Sequence, residues 1–125
     1  VIAGRINYLG FSTQPLDVMK KSGTVIVLPS YHEGMNRSLM EACALGKPII
    51  TTNIPGCREM VVEGKNGFVI PAKDSKGLAD AMMQYLKLDV TRKIQMGNES
   101  RRIAMERYDI RHVITEYEKV IYRYF

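Results

Sequence analysis

The chain has no tryptophan, only two cysteines and two histidines, and no Asp-x-Asp pair. It also lacks any apolar run of the about 18 residues that a membrane-spanning helix needs. Each absence removes a class of function. Cys43 and Cys57 are too few and too far apart for a disulfide framework or a zinc site. Cys43, inside the apolar stretch LMEACAL, reads as a small buried hydrophobe. His32 has no second histidine at ligand spacing, because His112 falls on a distant helix, so no metal site is expected. Without Asp-x-Asp, a diphosphate held by a metal on two neighbouring aspartates has no support, and no cofactor is called for. No leader of basic, apolar and small residues opens the chain. Nothing points to an oxidising compartment, so the cytoplasm is the expected location. The start, VIAGRINYLGF, has no methionine and drops at once into a strand pattern, which reads as a piece of a longer chain.

What is present describes an ordinary globular domain, or part of one: 125 residues, 46% hydrophobic and 25% charged. The net charge is +5, with nine basic residues before Lys87 and nine from Lys87 onward. A nucleic-acid surface would gather its cations with exposed aromatics on one face, so no nucleic-acid partner is expected. Solvated helix faces account for the spread of charge. A weak preference for anionic ligands or for the inner membrane leaflet, as a peripheral contact, is compatible with it.

The apolar pattern alternates between short strands and helices. Ile6–Leu9 reads as a strand ending at Gly10, and residues 15–22 (PLDVMKKS) as a short helix with proline in its first turn. Thr24–Leu28 is apolar and largely β-branched, as a strand covered on both faces would be. A helix follows over 36–45, with Leu39, Ala42, Cys43 and Leu45 on its apolar side and Gly46 as its stop. Pro48–Thr52 is the next strand, far enough along for a parallel crossover. A helix over 57–62, a turn at Lys65-Asn66-Gly67 and a strand over Phe68–Ile70 come next. Asp74 and Ser75 then cap a helix through Lys87 with Leu78, Ala79, Met82 and Leu86 at helical spacing; Asp89 and Asp109 cap two more. In the last helix Ile110, Val113, Ile114, Tyr117, Val120, Ile121 and Tyr124 keep the i, i+3, i+4, i+7 pattern. Most of such a stripe is expected to pack on its own domain, the alternative for a piece of a longer chain being that part of it is bare or buried in a homodimer. The fold class is therefore α/β, an open parallel sheet with flanking helices.

The run PSYHEGMNRSLMEA, directly after the strand TVIVL, has the makings of a site. The C-terminal ends of parallel strands are where open α/β sheets bind ligands, and a helix N-terminus offers unpaired amides to an anion. Were Glu33 to Glu41 wholly helical, their Cα atoms would lie about 12 Å apart. A hydrolytic carboxylate pair needs roughly 5–9.5 Å between its groups. The two acids suit opposite ends of one long polar ligand with an anion between them, the shape of a nucleoside diphosphate sugar. Glu41, between Leu39-Met40 and Ala42-Cys43 on a helix meant to be covered, is costly unless it faces something polar. Gly34 permits close backbone approach. Ser30, Tyr31, Gly10–Thr13 and residues 53–56 border the same edge. Arg37 and Lys47 are candidate counter-charges.

The stretch PSYHEGMNRSLMEACALGKPIITTNIPGCREMVVEGKNGFVIP resembles the nucleotide-sugar-binding half of the GT-B glycosyltransferases, specifically the group 1 (family 4) retaining enzymes. The resemblance implies a Rossmann-like half of a GT-B fold plus C-terminal helices, with 1–125 a fragment of that domain and 109–125 its closing helix. It implies that Glu33 is the catalytic residue meeting the donor sugar, that Glu41 meets the ribose, and that the amides of Gly34, Met35 and Asn36 face the diphosphate. Asn36 and Arg37 stand where many members have other residues. A diphosphate clamp and an acceptor site for a glycan or lipid-linked acceptor are implied upstream, so this piece alone is not expected to turn over. The implied function is sugar transfer from a nucleoside diphosphate donor, metal-independent, with surface polysaccharide assembly as a common task. A sugar-nucleotide epimerase of the same fold, or a non-catalytic α/β interaction module, would share much of this pattern.

Overall fold

The computed structural model describes residues 4–124. Three strands, β1 (Ile26–Leu28), β2 (Ile49–Thr52) and β3 (Gly67–Ile70), form a parallel sheet in the order β1-β2-β3. Ile26 lies level with Ile49, and Ile49 with Gly67; Leu28 lies level with Thr51, and Thr51 with Val69. The described residues also form five helices: α1 (Pro15–Met19), α2 (Arg37–Ala44), α3 (Ser75–Lys87), α4 (Val90–Arg107) and α5 (Ile110–Tyr124).

Side chains alternate across a strand, and the sheet divides its core accordingly. Ile49 packs with Leu39, Ala42 and Cys43 of α2 and with Met60 and Val61, while Ile50 packs with Phe68, Ile70, Ala81, Tyr85 and Met96 on the other face. Both sides of the sheet are covered, which is why β1 reads as an unbroken apolar run and all four residues of β2 are buried.

A buried polar lock closes the end of the sheet where the strands begin. Asn66 is fully buried; its amide donates to the Met60 carbonyl at 2.9 Å and to Ser100 Oγ at 3.2 Å, and its Oδ1 accepts from the Val62 N–H at 2.7 Å. Ser100 Oγ in turn donates to the Lys47 carbonyl at 2.7 Å. Beside this lock α4 lies directly on the end of α2. A Cβ at Gly97 would come within 2.5 Å of the Gly46 carbonyl, so only glycine allows that approach.

Several expectations are corrected here. Ile6–Leu9 forms no strand; Ile6, Tyr8, Leu9 and Phe11 are exposed, and β1 pairs only with β2 among the described residues. A β-rich segment becomes a strand only where a neighbour accepts its hydrogen bonds. The helix expected over 57–62 is a single 3₁₀ turn, Arg58–Met60, because the Asn66 side chain takes the Val62 N–H and Val61 is extended. On α3 the sheet takes Ala81 and Tyr85, leaving Met82 and Leu86 of the expected stripe exposed. The Tyr85 ring offers the larger area to bury, and it selects the face. The most consequential correction concerns α5. Its periodicity is as expected, but it buries no residue, and Ile110, Val113, Ile114, Tyr117, Val120 and Ile121 are all exposed.

Removing the Asn66 side chain leaves a buried carbonyl, a buried N–H and the Ser100 hydroxyl short of partners. Asn66→Ala is expected to cost about 3 kcal/mol and Ser100→Ala about 1 kcal/mol. Urea unfolding midpoints check this order; equal and negligible shifts would show that the lock does not hold the fold together.

Candidate functional site

At the opposite end of the sheet, where the strands finish, three loops meet. The first, between β1 and α2, is fastened to the second, after β2, by several contacts. The Asn36 N–H donates to the Gly56 carbonyl at 3.2 Å, and Thr52 Oγ1 donates to the Ser30 carbonyl at 2.6 Å. Thr51 Oγ1 donates to the Leu28 carbonyl at 2.8 Å. Gly56 has φ +86°, and a Cβ there would come within 1.7 Å of the Gly34 carbonyl. The second loop is tied to β3 by the Asn53 N–H on the Ile70 carbonyl, 2.7 Å. Lys73, from the loop after β3, sets its ammonium 5.7 Å from the Tyr31 ring centroid. The segment carrying Glu33 is thus held in place by backbone contacts.

Glu33 sits in the loop, four residues before α2 begins at Arg37; its Oε1 accepts from Ser30 Oγ at 2.7 Å. Asn36 is the true N-cap of α2, its Oδ1 accepting from the Leu39 N–H at 3.0 Å. Because the Asn36 N–H goes to Gly56, that amide is not on offer to a ligand. Among the described residues, no hydrogen bond runs from the amides of Gly34, Met35, Arg37 or Ser38 to a backbone or side-chain acceptor outside the helix. These are the groups, with the positive end of the α2 dipole behind them, that can meet an anion. The amides of Arg37 and Ser38 are not among those expected from the sequence, because the resemblance makes Asn36 a ligand donor and not the helix cap. The Asn-x-x-Leu spacing from Asn36 to Leu39 is the signal that could have found it.

Glu41 lies in the second turn of α2 and is not covered as expected. Its side chain is 28% exposed, and its Oε1 accepts from Arg37 Nε at 3.0 Å, while the Arg37 side chain is 89% exposed. Both line a groove of about 400 Å³ between α2 and α4 with Met40, Arg101, Met105, Tyr108 and Asp109. Asp109, bonded by the Arg111 guanidinium and backbone N–H, is held well below the usual carboxylate range.

Other candidates fall away from this edge. Lys47 donates to the carbonyls of Lys20 and Lys21 at 3.2 and 2.8 Å, stapling the end of α1 at the far end of the sheet. Residues 10–13 have no strand to terminate and are exposed. His32 is exposed, and among the described residues no three His, Cys, Asp or Glu side chains group as metal ligands. No helix among them is long and apolar enough to cross a membrane.

Comparison with known proteins bears on this arrangement. The family model described as glycosyl transferases group 1 matches residues 2–103. The N-acetyl-alpha-D-glucosaminyl L-malate synthase of Bacillus anthracis is 28% identical over 121 residues, covering 97% of this chain and 31% of the relative. The capsular polysaccharide biosynthesis glycosyltransferase CapM of Staphylococcus aureus is 29% identical over 96 residues, covering 77% of this chain and 25% of the relative. Among solved structures, Anabaena HepE in complex with UDP superposes with a TM-score of 0.84 at 23% identity, over 95% of this chain and 32% of that one. The chain thus spans about a third or less of the length of each of these three proteins. The structural likeness establishes the fold: the open parallel sheet with flanking helices expected from the sequence.

The two thiols have no part in this site. Burial pushes Cys43 up to about 11 against the opposing charge of Arg107. Burial also raises Cys57, with Glu33 and Glu59 adding to it. Neither is a competent nucleophile at neutral pH. Iodoacetamide at pH 8 should leave both unmodified in the folded protein and label both in urea; rapid labelling of Cys57 without denaturant would show that the loops over it open.

Proposed function

Because the chain belongs to the glycosyl transferases group 1 family, we propose that it is the donor-binding part of an enzyme that moves a sugar from a nucleoside diphosphate to an acceptor. One observation carries the reading: Glu33 and the start of α2 are fixed at the strand ends by the Gly34–Gly56 backbone approach and the Asn36–Gly56 hydrogen bond. A carboxylate and a fan of amides are thereby held ready before a ligand arrives, so little ordering cost falls on binding.

In this reading Glu33 accepts hydrogen bonds from donor sugar hydroxyls and turns the face of the anomeric carbon that carries the diphosphate toward the acceptor. The amides of Gly34, Met35, Arg37 and Ser38 face the diphosphate. As the bond from the anomeric carbon to the diphosphate oxygen breaks, negative charge grows on that oxygen, and the amides and the helix dipole stabilise it. No metal is required for that step. The acceptor hydroxyl forms the new bond on the face that the diphosphate leaves and gives its proton to the departing diphosphate oxygen. Glu41, set back on α2, accepts from the ribose hydroxyls. By resemblance the anomeric configuration is retained. Further basic groups for the diphosphate, and the acceptor site for a glycan or lipid-linked acceptor, lie outside these 125 residues. The bare stripe of α5, the closing helix of 109–125, packs on that neighbouring part. Surface polysaccharide synthesis at the cytoplasmic face of the membrane is the setting we assign.

In the intact protein, titration with UDP-, GDP- and ADP-sugars should identify one donor base. Glu41→Ala should weaken that donor about 10- to 100-fold, the loss of hydrogen bonds to a charged group. Glu33→Gln should lower kcat by about 100-fold or more with donor affinity little changed. Undiminished transfer by Glu33→Gln would overturn the assignment, and the isolated chain should show no transfer.

A further inference from the structure

Arg37 is badly placed for stability. It occupies the first position of α2, where a cation opposes the helix dipole. Its pair with Glu41 runs from base to acid along the chain, the weaker order for an i,i+4 pair. With 89% of its side chain in water, it gains little from that pair. The fold has no evident use for it.

Its geometry has a use. Side chains on a helix lean toward its N-terminus, so Glu41 reaches back along α2 toward the edge where the strands end. Arg37 Nε holds Glu41 Oε1 at 3.0 Å, and among the described residues no hydrogen bond reaches Oε2. One oxygen is thus fixed and the other remains open, in the groove that both residues line. A free glutamate would sample several rotamers, and freezing it on binding would cost conformational entropy. Resting on the donor-site reading above, we infer that Arg37 is a positioning residue: it presets the Glu41 carboxylate to receive the ribose hydroxyls of the donor nucleotide. It acts through Glu41, and its own amide toward the diphosphate survives any side-chain replacement.

The test compares UDP, GDP and ADP with their 2′,3′-dideoxy forms by calorimetry on the intact protein. Wild type should prefer the ribose form of its own base. Arg37→Ala should lose about twofold in affinity for the ribose form, the most that an exposed i,i+4 pair can preset. It should leave the dideoxy form unchanged and move the melting temperature by no more than about a degree, as a surface substitution does. In a Glu41→Ala background the Arg37 change should have no further effect. Equal weakening of ribose and dideoxy forms, or an effect that adds to that of Glu41→Ala, would overturn the inference in favour of a direct phosphate contact. No change on Arg37→Ala would overturn it outright. If Glu41→Ala itself leaves the ribose preference intact, the assignment of Glu41 fails and this inference fails with it, whereas failure of Arg37→Ala alone leaves the donor site standing.

Discussion

The structure depends on one buried side chain, Asn66, whose three polar contacts reach the Met60 carbonyl, the Val62 N–H and Ser100. Through Ser100 and the Lys47 carbonyl it links β2, the turn before β3, and α4. Unlike apolar packing, which tolerates sliding, a hydrogen-bonded buried amide accepts one register only. That register sets how α4 lies on α2, with Gly97 against Gly46. It therefore sets the groove in which Glu41 and Arg37 stand.

A parallel sheet with helical crossovers has two unlike ends, and this molecule uses them differently. Where the strands begin, helices end, and their exposed carbonyls collect cations: Lys47 on the end of α1, Arg101 on the Ala44 carbonyl of α2, Lys93 on the Leu86 carbonyl of α3. Those basic residues are occupied with helix termini. Where the strands finish, α2 begins, and amides of its first turn face outward. Stabilising side-chain contacts gather at one end, and the open amides of α2 lie at the other. This explains why Lys47, a plausible phosphate partner on paper, has no access to the site, and why Arg37 does.

The sheet and the site motif were legible because each rests on local chemistry. Unbroken β-branched runs, Asp74 and Asp89 before helices, and Gly46 after one are all read within a few residues, and all appear at those places. So does the Glu33 loop at the end of β1. The fastening of that loop was not legible. Gly56 gives no hint in sequence that its neighbour in space is Gly34, twenty-two positions earlier, nor Asn66 that its partner is Ser100. Long-range polar contacts leave no periodic trace. The choice between two overlapping apolar faces on α3 failed for the same reason: periodicity offers faces, and the facing sheet selects.

The failures at Ile6–Leu9 and α5 share a different cause. In both, the sequence states that apolar groups are meant to be covered, and it is silent on what covers them. A strand pattern needs a second strand to accept its bonds, and an amphipathic helix needs a surface. Inside one domain these requirements are met by nearby elements, so pattern and outcome coincide. Here, eight large side chains of α5 stand exposed along 15 residues. That is more apolar surface on one helix than a monomeric fold ordinarily leaves bare. An unmet requirement of this size is itself structural information. It sets α5 apart as a helix that buries none of its side chains, whereas α2, with Leu39, Ala42 and Cys43 buried, is packed against both the sheet and α4.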